Sequence, residues 1–297
     1  MVLFSPPSPL ELSNGCLVCA PHGLVVCPDC TVDFSFMEDF VDECEDEDED
    51  DISPGKDFDE DSTIEELPPR ARISSPPRVG TGRVLPTRFR PPSTHATPQS
   101  LFPPTIGRRS SPAVCRFINA TNPRQFLIYT DGACLDNGGA NPRAGWSFVF
   151  KPSTEDRPGY VRQPLETKGP SGEAYGQTSN RAELRAVIAA LGFRAWPGEG
   201  CNNLVIATDS EYVVEGVISW VRGWIRRGWM TRMGTAVKNR DLWECLLGEI
   251  ERWHEQGLDV AFWRVPREWN TDADHHARHA ASQERIEDFQ EVCGLFV

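Results

Sequence analysis

The order of apolar segments beyond Gln125 is the feature that most restricts the fold of this chain. Three strand-like segments come first, and helical segments then alternate with two more strands. The predicted strands cover residues 126–130, 145–150, 160–167, 204–208 and 260–265. The predicted helices cover residues 184–191, 214–225, 243–253 and 272–285. This β-β-β-α-β-α-α-β-α order predicts an α/β sandwich with a mixed sheet and one core.

Charge and proline divide the rest of the chain. The net charge is -14, but residues 38–66 alone hold 17 of the 44 acidic side chains and a single lysine. Residues 67–124 hold ten arginines, no acid and 12 of the 25 prolines. We therefore predict three parts: a Cys-rich element (1–40), a disordered acidic then Arg/Pro-rich linker (41–124) and a catalytic domain (125–297). With no long apolar run and no secretory signal, we expect an intracellular protein without a membrane span.

Four carboxylates stand at the ends of predicted elements. Asp131 and Asp209 each follow a strand, whereas Glu183 and Asp274 each open a helix. Each also has a local explanation, as a turn residue, a helix cap or a complement to the helix dipole. Because ligand sites of α/β folds gather at one end of the sheet, the four together are expected to form a single cluster.

Four close carboxylates repel one another and would repel a phosphodiester, so they imply bound cations. Two Mg²⁺ ions would formally balance four negative charges, and Mg²⁺ prefers carboxylate and water oxygens; Mn²⁺ is an alternative. Two such ions can activate water and stabilise the oxyanion that departs from phosphorus. The cluster therefore predicts phosphodiester hydrolysis.

From about residue 125 to 284 the wording of the chain resembles the type 1 ribonuclease H family. The segments TDGAC, TSNRAEL, TDSEYV, GWIRRGW, VKNRDLW and NxxAD occur in the family's order. The resemblance implies the ribonuclease H fold, a five-stranded mixed sheet in the order 3-2-1-4-5 flanked by helices. It also implies metal-dependent endonucleolytic cleavage of the RNA strand of RNA/DNA hybrids, giving 5′-phosphomonoesters, and it matches all four carboxylates to the family's metal ligands.

Residues 216–241, here called the basic arm, interleave aromatic and basic side chains without an acid before Asp241. Trp220 and Trp224 share a helix face and are expected to pack on deoxyribose, while arginines neutralise phosphates. Alternatively, the tryptophans are core and the arginines a solvated face. The basic residues are Arg222, Arg226, Arg227, Arg232, Lys238 and Arg240. By resemblance, Tyr212, Trp220 and Trp224 line the DNA channel, and Thr178 and Asn239 hold a DNA phosphate.

Discrimination of RNA from DNA requires polar groups at the 2′-hydroxyl. By resemblance, Asn137, Ser179 and Asn180 stand at the matching positions. Ser179 departs from the family, because an amide is usual there. Asn137 also fits simple turn chemistry in its DNGG segment.

The loop before the last helix departs from the family more strongly. Members commonly carry a histidine there, whereas this chain reads PREWN over residues 266–270. Glu268 is our candidate for the missing proton-transfer role, because a carboxyl near metal-bound water can move protons. A surface glutamate paired with Arg267 is the alternative.

The N-terminal element carries two cysteine pairs, Cys16 with Cys19 and Cys27 with Cys30. This spacing predicts a tetrahedral Zn²⁺ site, with free thiols as the alternative. A zinc-held element is short enough to serve as a device for recruiting a protein partner.

The sequence thus predicts a hybrid-cleaving nuclease. Two alternatives stay open: a binding module of the same fold with weakened turnover, and a nuclease recruited to a protein complex through residues 1–40. We expect a monomer in the nucleus or the cytoplasm.

Overall fold

The computed structural model describes residues 78–107, 109, 113–154 and 157–294, and before them His22 and four two-residue strands. Those strands form two antiparallel pairs, β1 (Leu10–Glu11) with β2 (Leu17–Val18) and β3 (Val26–Cys27) with β4 (Val32–Asp33). The acidic run predicted to be disordered lies outside the described residues. Among the helices of the described part, none has the length and apolarity needed to cross a bilayer.

The described residues from 78 onward form eight strands and six α-helices. The strands are β5 (Thr87–Arg88), β6 (Pro104–Gly107), β7 (Val114–Ile118), β8 (Gln125–Leu135), β9 (Arg143–Val149), β10 (Tyr160–Pro164), β11 (Asn203–Thr208) and β12 (Asp259–Arg264). The helices are α1 (Pro98–Leu101), α2 (Ser179–Gly192), α3 (Glu211–Glu215), α4 (Val221–Arg226), α5 (Arg240–Glu255) and α6 (Thr271–Ala281). A π-helical turn, Gly216–Trp220, joins α3 to α4, and a 3₁₀ turn, Arg267–Trp269, precedes α6.

The five predicted strands are present in the predicted order. They run β10-β9-β8-β11-β12, which is the 3-2-1-4-5 arrangement. β8 pairs antiparallel with β9 and parallel with β11, and β12 is parallel to β11. The carboxyl ends of β8, β11 and β12 therefore lie at one edge of the sheet.

One face of the sheet is covered by α2 and α5. Large side chains fill this core, among them Trp146, Phe148, Trp243 and Trp253, which are all buried. Burying such side chains is the main favourable term in the stability of the domain. The helical spacing read from the sequence predicted this layer correctly.

The opposite face is covered by α6 and by a segment that the sequence predicted to be linker. We call residues 78–107 and 113–118 the N-terminal strap. Within it, β5 adds to the sheet beside β12, and β7 pairs with β8. The rings of Phe89 and Phe102 pack against Trp263, with centroids 4.9 and 6.4 Å away, over the apolar face.

The linker prediction for residues 67–124 is therefore wrong for the strap. Its prolines occupy positions where a missing N–H is tolerated. Pro98 is the first residue of α1, and Pro104 begins β6, which pairs with β7 at the outside of the sheet. Apolar residues between the prolines supply enough buried surface to order the segment.

Close backbone contacts and one buried carboxylate fix the strap on α5. Gly80 crosses Gly248 so tightly that a Cβ on Gly80 would lie 2.2 Å from the Gly248 nitrogen. Glu251 is buried and accepts the backbone N–H groups of Thr81, Gly82 and Arg83 at 2.9, 2.7 and 3.2 Å. Such charge-assisted bonds hold the strap's first turn.

Candidate active site

A glycine brings the first two carboxylates together. Asp131 was expected to follow a strand, but β8 continues to Leu135, so Asp131 lies inside it, two residues past the last pair with β11. Glu183 lies in the first turns of α2. Between them, Gly132 abuts the helix backbone: a Cβ there would lie 2.1 Å from the Glu183 nitrogen. The strand and the helix can therefore touch main chain to main chain, which sets the separation of the two carboxylates.

Strand register brings in the third carboxylate. Ala207 on β11 pairs with Tyr129 on β8, so the same register two residues later sets Asp209 beside Asp131. Carboxylate oxygens of Asp131, Glu183 and Asp209 all lie within 4.8 Å of one another. The sequence predicted this convergence, and the structure places the three groups together.

The electrostatics of this cluster are those of crowded buried acids. Burial raises the pKa of Asp131 well above its ordinary value, and the charges of Glu183 and Asp209 raise it further. Burial likewise raises the pKa of Glu183, with Asp209 adding to the effect and Arg267 opposing it. Without a counter-charge, Asp131 and Glu183 therefore favour their protonated forms.

The expected cluster of four carboxylates contains three in this structure: Asp274 lies near the others but is not among the groups that meet within 4.8 Å. Its Oδ1 accepts a 2.7 Å bond from Arg267, and its Oδ2 lies 2.9 Å from Arg278. Arg267 also approaches Asp209, with an Nε to Oδ2 distance of 4.0 Å. Burial alone would lower the pKa of Arg267, but its bond to Asp274 raises it. A guanidinium thus neutralises part of the acidic charge.

The donor set fits hard divalent cations. All three clustered ligands are carboxylates, which Mg²⁺ and Mn²⁺ prefer over nitrogen or sulfur. The Oε2 atom of Glu183 is buried and has no hydrogen-bond partner among the described residues. An unsatisfied buried carboxylate oxygen beside two others is an arrangement that a cation would stabilise.

Sequence reasoning missed Asn270, which directly precedes α6. Its Nδ2 donates to Asp209 at 2.8 Å and lies 3.3 Å from Asp131. Asn270 is the first residue of the NxxAD segment that resembles the family, but an asparagine before a helix is also typical of an N-cap, and the sequence assigned it no role.

Two of the three residues matched to the ribose 2′-hydroxyl are in contact. The Nδ2 of Asn137 lies 3.4 Å from the Ser179 hydroxyl, and the Ser179 N–H is 3.4 Å from the Asn137 Oδ1. Asn180 is partly buried beside Ser179 in the first turn of α2. Thr178 caps α2 by accepting the Arg181 N–H at 3.2 Å.

The aromatic residues matched to the DNA channel are mostly buried. Trp220 and Trp224 are 7% and 3% exposed, with ring centroids 5.7 Å apart. The Trp224 ring also packs on Trp243, and the Tyr212 hydroxyl accepts the Trp243 Nε1–H at 3.1 Å. The core interpretation therefore describes these two tryptophans in this structure.

The arginines and the lysine of the basic arm are exposed, as both interpretations required. The set comprises Arg222, Arg226, Arg227, Arg232, Lys238 and Arg240. Asn239 adopts a left-handed conformation, with φ of 57°, and donates to the Tyr212 hydroxyl at 3.2 Å. This turn joins the basic arm to α5.

Comparisons with known proteins agree with this geometry. The RNase H family profile matches residues 123–282, more than half of the chain. The chain belongs to the type 1 ribonuclease H family. It is 42% identical to a Treponema pallidum ribonuclease H over 125 residues, which cover 41% of this chain and 70% of the relative. It is 36% identical to a Xanthomonas oryzae ribonuclease H over 167 residues, which cover 54% of this chain and 95% of the relative.

Among solved structures, the ribonuclease H1 of the halophilic archaeon Halobacterium salinarum is 25% identical and aligns with a TM-score of 0.32. The alignment covers 52% of this chain and 96% of the archaeal one. The family match begins at residue 123, so the N-terminal strap lies outside it.

Two predictions for this ribonuclease H stay open. Glu268 is exposed on the turn before α6, while its neighbour Arg267 pairs with Asp274 instead. The zinc ligands Cys16, Cys19 and Cys30 lie outside the described residues, and Cys27 is described only as part of the backbone of β3. Both roles remain predictions.

Proposed function

We propose that this ribonuclease H is a metal-dependent endonuclease that hydrolyses the RNA strand of RNA/DNA hybrids. The observation that carries the proposal is the meeting, within 4.8 Å, of Asp131 on β8, Glu183 on α2 and Asp209 directly after β11. Family membership supports the same reaction class, and a solved relative is described in complex with an RNA/DNA hybrid.

The clustered carboxylates, with Asp274 beside them, would hold two divalent cations, Mg²⁺ or Mn²⁺. When held there, two such cations would supply the charge that activates a water and stabilises the leaving oxyanion of an in-line displacement. The water oxygen forms the new bond to phosphorus, and the bond from phosphorus to the 3′-oxygen breaks. The products are a 5′-phosphate and a 3′-hydroxyl, whose proton derives from water.

The chain's own residues would position the hybrid. Exposed basic side chains of the basic arm neutralise phosphates of the DNA strand, which makes binding dependent on salt. By family resemblance, Asn137, Ser179 and Asn180 would contact 2′-hydroxyls of the RNA strand. Ser179 is shorter than an amide, so we expect its discrimination to depend on the contact with Asn137.

Arg267 favours a second candidate, a binding module with weakened turnover. Its guanidinium lies beside Asp274 and Asp209, where it supplies positive charge to the carboxylates. If this ion pair persisted with substrate, it would compete with a cation for Asp274. The loop also lacks the histidine that family members commonly carry there, as its sequence PREWN shows.

Cleavage of a labelled hybrid separates these candidates. The full-length protein should cut the RNA strand in Mg²⁺, lose activity in EDTA, and be at least 100-fold slower as Asp209→Asn. Double-stranded DNA of the same sequence should stay intact. Salt-dependent hybrid binding without Mg²⁺-dependent cleavage would support the binding module and contradict the nuclease.

Two further proposals rest on the sequence alone. A Zn²⁺ site in residues 1–40 would recruit a protein partner, and metal analysis of the purified chain would detect about one Zn²⁺ per molecule. A monomer in the nucleus or cytoplasm follows from the proposed substrate and from the default for a domain of this size.

A further inference from the structure

Asn270 lies against Asp131 and Asp209, two of the three clustered carboxylates. It is 1% exposed and lies where the chain enters α6, against the ends of β8 and β11. Its Nδ2 lies 2.8 Å from Asp209 Oδ1, 3.3 Å from Asp131 Oδ1 and 3.0 Å from the carbonyl oxygen of Thr130. A single amide group thus bridges two of the three clustered carboxylates.

This contact replaces the usual role of an asparagine at a helix start. Asn270 stands at the N-cap position of α6, yet its side chain makes no capping hydrogen bond. Asparagine is among the best capping residues, and here that favourable interaction is given up. The amide is instead turned inward to the carboxylates.

The chemistry of an amide suits this position. Its two N–H groups are neutral donors shared among Asp209, Asp131 and the Thr130 carbonyl, so they link two like-charged carboxylates without adding a competing cation. Arginine or lysine in the same place would occupy the space and the charge that a divalent metal needs. Asn270 can therefore stay in place when the charge of the site changes.

The orientation of the amide is fixed by its neighbours. The Oδ1 atom of Asn270 is buried and has no hydrogen-bond partner among the described residues. A flipped amide would set that oxygen against the oxygens of Asp209 and Asp131, which would repel it. The observed orientation leaves one acceptor unsatisfied, and the two aspartates determine that choice.

We infer that Asn270 is a positioning residue that sets the separation of Asp131 and Asp209 before a divalent cation binds. The inference rests on the proposed function. Asn270 is 1% exposed and acts through the two carboxylates that it contacts. Its loss should weaken metal binding in the absence of nucleic acid, which a purely structural residue would not do.

The test is a calorimetric titration of the full-length protein with Mn²⁺, without substrate, followed by hybrid cleavage over a range of Mg²⁺ concentrations. Asn270→Ser can cap α6 but cannot reach both aspartates, so we expect at least tenfold weaker Mn²⁺ binding and a matching rise in the Mg²⁺ midpoint. The value of kcat should fall at fixed Mg²⁺, and KM for the hybrid should stay within twofold. Unfolding in EDTA should show a folded variant.

Two further variants complete the test. Asn270→Asp keeps the shape of the side chain but removes both donors, so it should also lower kcat at fixed Mg²⁺. This variant provides the test if Asn270→Ser does not fold. Asn119→Ser is the matched control, because Asn119 donates its amide to Gln125 at 2.7 Å, at the opposite end of β8. Its metal binding should equal that of the unmodified protein.

The outcomes separate this inference from the proposed function. If the unmodified protein binds Mn²⁺ and cleaves hybrid while folded Asn270→Ser does both equally well, the positioning role is overturned and the nuclease stands. If the unmodified protein neither binds metal nor cleaves, both are overturned. Weakened binding in Asn270→Ser but not in Asn119→Ser supports the inference.

Discussion

Both faces of the sheet carry a buried apolar core, but the segments that cover the two faces differ in amino-acid composition. On one face, α2 and α5 come from the family-matched region and show regular helical spacing of apolar residues. The other face is covered by α6 together with the N-terminal strap, which is rich in proline and arginine. Phe148 on the first face and Phe102 on the second are both 0% exposed. Burial of a few aromatic rings, and not average composition, decides whether a segment is ordered.

The largest expected effects come from truncating these two rings. Phe102→Ala and Phe148→Ala should each lower the free energy of unfolding by about 3–5 kcal/mol, because each removes a fully buried aromatic side chain. Urea unfolding of the full-length protein measures both. A loss of under about 1 kcal/mol for Phe102→Ala alone would break the comparison, since it would mean that the strap adds little to the core.

The carboxylate that holds the strap should matter nearly as much. Glu251→Gln removes a buried charge that accepts three backbone N–H groups, so we expect a loss of roughly 2–4 kcal/mol in urea unfolding. Glu249→Gln on the same helix is the control, because Glu249 pairs with the partly exposed Arg252. Its effect should stay below about 1 kcal/mol. Equal effects would contradict the anchoring role of Glu251.

Neutralising a carboxylate of the acidic cluster should change the free energy of unfolding in the opposite direction to truncating a buried ring. In EDTA, Asp131→Asn should raise the free energy of unfolding at neutral pH by roughly 1–2 kcal/mol, because it removes a buried charge from a crowded cluster, and cleavage should be lost. Asp136→Asn, on the exposed turn after β8, should change neither by much. A destabilised Asp131→Asn would mean that the carboxylates do not repel one another in the folded chain.

The effect of Asp131→Asn on the free energy of unfolding should depend on pH. The pKa of Asp131 and that of Glu183 are raised by folding, so these groups favour the folded state below their ordinary pKa values. That contribution is lost as pH rises through the raised pKa values. The advantage of Asp131→Asn in EDTA should therefore shrink on acidification towards pH 4 and be largest at neutral pH.

The smallest effect is expected from the ion pair at the edge of the strap. Arg88 lies 2.7 Å from Glu215, and its side chain is 36% exposed. Arg88→Gln should cost no more than about 1 kcal/mol, and the difference should decline in high salt. A loss as large as that of Phe102→Ala would mean that surface charge, and not the buried rings, holds the strap.

The sequence predicted the helix-covered face and the acidic edge well because both are encoded locally. Helical spacing marks α2 and α5, and Asp131 and Asp209 each end an apolar strand. Parallel register then determines that these two acids meet. Such signals need only neighbouring residues and general rules about sheets.

Other features depend on partners that are distant in sequence. The strap is ordered by contacts with β12 and α5, which lie more than 150 residues later in the chain. Arg267 reads as a surface residue next to Glu268, yet it pairs with Asp274. Asn270 reads as a helix cap, and only the structure shows its amide turned towards Asp209.

The position of the strap also determines how this nuclease can be shortened. A fragment that begins at residue 123, where the family match starts, would lack β5, β7 and the ring of Phe102. The apolar side chains of Leu127, Val205 and Trp263, which lie in one cluster, would then be exposed to solvent. Such a fragment is expected to aggregate during purification even with all the clustered carboxylates present, whereas one that starts before Arg78 should not aggregate.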